Sequence, residues 1–145
     1  MNKRKVWGIT LLAGAGLWFL LWAPYVFAQA CKDETSLVDG SKQALTEFTE
    51  TVKNESLAKF ETSNHQKGAV NKLSFHDGML GELISCLQKA AEHATTSKED
   101  AAAAKAQQDG TVKLREKVKR QQAAIKGAAT SKDAKALIEK LDLSP

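Results

Sequence analysis

From Ser41 onward the apolar positions of the chain recur at steps of three and four residues, the spacing that places them on one side of a helix. Leu45, Phe48 and Val52 form the first such stripe, after an Asp39-Gly40 turn signal and with Ser41 as an N-cap candidate. The pattern predicts a helix from Ser41 to about Phe60, with Leu37 and Val38 in a preceding turn. The polar stretch from Thr62 to Gly68 then reads as a loop.

The longest stripe follows. Val70, Leu73, His76, Leu80, Leu83, Leu87, Ala90 and Ala94 share one face and predict a core helix, with Asp77-Gly78 and Gly81 as places where it can break or restart. Thr96 to Glu99 fits a capping box, in which a hydroxyl and a carboxylate three residues later satisfy each other's backbone donors. A third helix is expected from Glu99 to Ala129, with Leu114, Val118 and Ile125 inward. It is expected to run unbroken through Gly110, since one interior glycine costs only about 1 kcal/mol. A second capping box, Thr130 to Asp133, opens a short last helix carrying Ala134, Leu137, Ile138 and Leu141. No segment alternates with β-branched residues and no repeat of fixed period appears. The expected fold is all-α, a small antiparallel bundle of three to four helices.

Residues 1 to 30 belong to a different regime. Lys3, Arg4 and Lys5 precede 18 uncharged residues, Val6 to Ala23, and Pro24 and Ala28-Gln29-Ala30 follow. Charged start, apolar run and small-residue exit make the plan of a secretory signal peptide, with cleavage after Ala30. An uncleaved membrane anchor is the alternative, because Val6 to Ala28 is just long enough to span a bilayer. Lipid attachment to Cys31 has less support, since Ala28 stands where a Leu-like residue is usual. The domain division is therefore 1–30 for targeting and 31–145 for the bundle, in a periplasmic or secreted protein.

Export changes the meaning of composition. The formal charge of +4 falls to about +1 beyond residue 30, where 18 Lys and Arg face 17 Asp and Glu, so no electrostatic case for nucleic-acid binding remains. Leu, Ile, Val and Phe make up only about 19% of that part, near the limit for a stable core. The two cysteines, Cys31 and Cys86, allow one intramolecular disulfide. Closing that loop is worth about 4 kcal/mol in the chain-entropy model, and no CxxC is present to suggest redox chemistry instead.

Candidate chemistry is sparse. The histidines are His65, His76 and His93, with no HExxH, no i,i+4 pair and no CxxCH for covalent haem, so no metal or cofactor is expected. His76 lies on the apolar stripe and is a weak ligand candidate for a haem or small-molecule carrier. It is read first as a core residue hydrogen-bonded to a neighbour such as Asp77 or a backbone carbonyl. Met79 shares its face of the helix and cannot oppose it across a haem. No nucleophile elbow, P-loop or dinucleotide fingerprint occurs, so no enzyme is expected.

Charge does divide along the chain. Residues 31–110 carry 9 basic and 13 acidic side chains, whereas 111–145 carry 9 and 4. Lys113, Lys117 and Arg120 fall on nearly one face and are the candidate contacts for an anionic envelope component or acidic partner. Pairing within the bundle, or solvation, explains the same asymmetry. The expected function is that of an exported, non-catalytic binding or accessory protein of a bacterial-type envelope, with an interior ligand carrier near His76 and a membrane-anchored spacer as alternatives.

Overall fold

A computed structural model describes residues 30–93 and 96–145. The targeting segment up to Gln29, with its cleavage and anchor readings, and Ala94 of the long stripe lie outside the described residues. Five helices occur among the described residues: α1 (Lys32–Asn54), α2 (Leu57–Thr62), α3 (His65–Glu92), α4 (Lys98–Lys126) and α5 (Ser131–Glu139). No strand is present among those residues, and no helix there is long and apolar enough to cross a membrane. The fold is the expected all-α bundle, with one short helix more than the pattern announced.

α3 is the middle of the bundle. α1 packs along one flank and α4 along the other, α1 and α4 scarcely meet, and α5 bridges them. Both packings are antiparallel. Cys31 meets Cys86 and Ser41 meets His76 as α1 runs up and α3 runs down, and Arg115 meets Asp77 and Gln122 meets Val70 across α3 and α4. The buried stripe of α3 is Ala69, Leu73, His76, Leu80, Leu83 and Leu87: it opens at Ala69 where the spacing put Val70, and Val70 and Ala90 are only half-buried. Val38, Leu45 and Val52 of α1, Val118 and Ile125 of α4, and Ala134 and Ile138 of α5 complete the core. A fully buried Leu contributes about 1.5–3 kcal/mol, so in so small a core the disulfide carries the weight of about two leucines.

Several boundaries differ from the expectation for identifiable reasons. α1 starts nine residues early, at Lys32, so Ser41 is no N-cap and Asp39-Gly40 no turn. Asp33 and Glu34 in the first turn suit the helix dipole, and the bond from Cys31 fastens this end to α3. α1 stops at Asn54 rather than running to Phe60. Glu55 and Ser56 are extended, the Ser56 hydroxyl accepts from the Lys59 N–H, and the turn into α2 buries Phe60.

The expected seven-residue loop shrinks to Ser63 and Asn64. Asn64 has φ 53°, a left-handed conformation that Asn tolerates better than most residues. α3 passes Asp77-Gly78 and Gly81 without a break. The cap of α4 is Ser97, not Thr96, and its reciprocal partner is Asp100, one residue past the expected box. α4 continues through Gly110, and Thr130 with Asp133 opens α5, both as expected. Leu137 is more exposed than its place in the α5 stripe suggested.

Candidate ligand-binding groove

The seam between α1 and α3 holds most of what the chain offers chemically. At one end Cys31 and Cys86 are joined, with sulfurs 2.09 Å apart. The Glu34 carboxylate stands within 4.8 Å of both sulfurs, a three-ligand grouping of the kind that can hold a metal. The sulfur–sulfur bond removes both thiolates, so as joined the grouping has one charged donor and no metal chemistry.

Midway along the seam, fully buried His76 places Nδ1 2.6 Å from the Ser41 hydroxyl oxygen, which is itself 2.8 Å from the Val38 carbonyl oxygen. A hydroxyl has one proton. Its donation to Val38 leaves the oxygen to accept from Nδ1–H, and this assigns the neutral tautomer with an unprotonated Nε2. Nε2 has no hydrogen-bond partner among the described residues. Burial, reinforced by the nearby Lys42 charge, pushes the His76 pKa down, and Asp77 only partly opposes this. The partner of His76 is thus a hydroxyl from the facing helix rather than Asp77 or a carbonyl. His76 donates to the Ser41 hydroxyl instead of accepting its proton as a base would, and Ser41 sits mid-helix, where backbone N–H groups serve the helix and not an oxyanion.

Outside this buried pair the two helices diverge into an open groove of about 470 Å³, lined by Ser36, Leu37, Gly40, Ser41, Ala44, Asn71, Lys72 and Phe75. Its form follows from residue size. Ser36, Gly40 and Ala44 recur every four residues and put a low floor on α1, and a Cβ added at Gly40 would meet nothing within 4 Å. Leu37 and Phe75 stand at the rim with 52% and 59% of their surface exposed, an unusual cost for large apolar side chains so close together. His76 is fully buried and is not among the groove walls, so the groove does not reach the residue singled out for the interior carrier alternative.

At the far end His65 packs edge-on to Phe48 and tilted against Phe60, with Nε2 2.6 Å from a Glu55 carboxylate oxygen. These contacts close the corner where α1, α2 and α3 meet.

The opposite flank of α3 adds polar clasps to its apolar packing. Arg115 lays its Nε 2.8 Å and Nη2 3.3 Å from the two Asp77 carboxylate oxygens, and Lys119 reaches to 4.0 Å. Gly81 makes room, because a Cβ there would lie 3.2 Å from the guanidinium. The hydrogen bond to Asp77 holds the Arg115 pKa above its usual value. Of the three candidate contacts, Lys117 is engaged within the chain, donating to the Asp142 carboxylate at 2.7 Å and to the Ser144 carbonyl at 2.9 Å. That lysine, with Ser144, holds the Asp142 carboxyl well below the usual carboxylate range. Lys113 and Arg120 are exposed. The basic run therefore has mixed duties, and the three residues do not form one free face.

The sequence pattern missed the groove. Leu37 falls in the turn that the pattern predicts, and Phe75 falls between stripe positions. The available signal was a large apolar side chain out of phase with its helix. No family model, no curated protein and no solved structure matches this chain.

Proposed function

We propose that the protein is an exported, non-catalytic binding protein that holds a small apolar ligand in the α1–α3 groove. The observation carrying this reading is the pair Leu37 and Phe75, exposed on either side of a floor of small residues. The groove volume lies within the usual range for small-molecule sites, about 300–1,000 Å³. A specific protein interface commonly needs 20–30 residues a side, far more than the eight that line this depression. Export agrees with the signal-like segment and with a disulfide that persists in oxidising compartments.

The test is titration with N-phenyl-1-naphthylamine, an uncharged fluorophore that brightens on leaving water. Saturable one-to-one binding, lost in Gly40→Leu without loss of helicity, is expected because leucine fills the floor from open space. Binding that survives Gly40→Leu, or that never saturates, contradicts the reading.

A further inference from the structure

The walls of the groove contain one charge and no counter-charge. Lys72 is exposed, and no carboxylate stands among the lining residues. Its ammonium lies 5.7 Å from the centre of the Phe48 ring, which places it toward the end of the groove nearest Ala44. Because α1 and α3 are antiparallel, the floor then runs away from Lys72 past Phe75 to Leu37 and Ser36. Eight residues of helix separate Ser36 from Ala44, a path of about 12 Å. A cation at one end and an apolar track of that length describe the complement of a single-chain amphiphile with an anionic head.

We propose that the ligand is a medium-chain aliphatic carboxylate, its head at Lys72 with Asn71 beside it and its chain over Gly40 and Ala44 between Leu37 and Phe75. This rests on the groove being the binding site, and it adds the chemical class and the direction in which the ligand lies. A flat membrane surface is a poorer match, because the apolar side chains flank a depression instead of projecting from a broad face.

Calorimetric titration of the purified protein with decanoate, octanoate and decan-1-ol tests it. Decanoate binds one-to-one, and octanoate binds more weakly by up to about fifteenfold, the two missing methylenes each being worth up to about fourfold when buried. Lys72→Gln weakens decanoate about three- to fivefold, the scale of an exposed ion pair, and leaves decanol unchanged. Gly40→Leu abolishes both. Absence of decanoate binding overturns the proposal, as does equal affinity for decanol and decanoate with no effect of Lys72→Gln.

In that second case loss of both ligands in Gly40→Leu leaves the groove reading standing, so the two failures are distinct. Co-sedimentation with phosphatidylglycerol vesicles that needs Lys72, in protein that ignores decanoate, assigns the lysine to a bilayer and also overturns the proposal.

Discussion

The two flanks of α3 use the same helix in opposite ways. Toward α4, the seam is tied by long polar side chains: Arg115 to Asp77, Gln122 to the Val70 carbonyl at 3.1 Å and Gln66 to the Ile125 carbonyl at 2.8 Å. Toward α1, it is tied by a covalent bond and one buried hydroxyl–imidazole pair, and then left open above them. On one side Arg115, Lys117 and Lys119, from the basic run that is the first suspect for recognition, are engaged with Asp77 and Asp142. The two most exposed large apolar side chains among the described residues, Leu37 and Phe75, which stability alone does not call for, stand on the other.

Breaking the disulfide is the most damaging way to test this contrast. The Cys31→Ser, Cys86→Ser double variant is expected to lose up to about 4 kcal/mol in denaturant unfolding, and wild-type protein should lose a similar amount in reductant. A loss below about 1 kcal/mol would mean that the α1–α3 seam holds without its staple.

The buried pair comes next. Ser41→Ala leaves His76 Nδ1–H without its acceptor and should cost about 1–3 kcal/mol. His76 also carries a pH signature whose sign is fixed by its lowered folded-state pKa. Between that value and 6.5 the unfolded chain binds the extra proton, so the His76 contribution is complete above pH 6.5 and is lost as pH falls from there toward the folded pKa. His76→Gln should flatten that part of the stability–pH curve. A wild-type curve showing no acid-side loss through that window would contradict the buried neutral imidazole.

Two glycines on facing flanks sharpen the comparison. Gly40→Ala enters open space and should stabilise by up to about 1 kcal/mol, the helix-propensity gain. Gly81→Ala has the same propensity gain but must push aside the Arg115 guanidinium, so it should yield less than Gly40→Ala or destabilise. Equal thermal shifts would mean that the α3–α4 clasp is looser than described. Smallest of all, Lys113→Gln with Arg120→Gln should stay within about 0.5 kcal/mol in thermal melts. Lys117→Gln should cost more than either, because it frees the segment at Asp142 and Ser144.

Helix identity and the inward faces were legible in the sequence because burial imposes a period that a single chain displays. Leu73, Leu80, Leu83 and Leu87 on α3, and Val118 and Ile125 on α4, point inward for that reason. Pairing of Cys31 with Cys86 followed from parity together with the expected export. What escaped depends on neighbours remote in sequence. Nothing local to Ser41 says that its partner is 35 residues away, and Asp77 reads as a helix breaker until Arg115 is placed across from it.

The start of α1 was missed because Asp39-Gly40 has the composition of a turn, whereas packing of Val38 and the bond at Cys31 outweigh a single glycine. The groove escaped because it is made by what is small or out of phase, and periodicity registers only what is large and in phase.

The central claim, that recognition belongs to the α1–α3 side, is tested most directly by mapping backbone amide shifts in protein titrated with N-phenyl-1-naphthylamine. The account predicts saturable shifts at Leu37, Gly40, Ala44, Asn71 and Phe75, with Lys113 and Arg120 on α4 unmoved. Shifts centred on Lys113 and Arg120, with the α1–α3 amides unchanged, would contradict it.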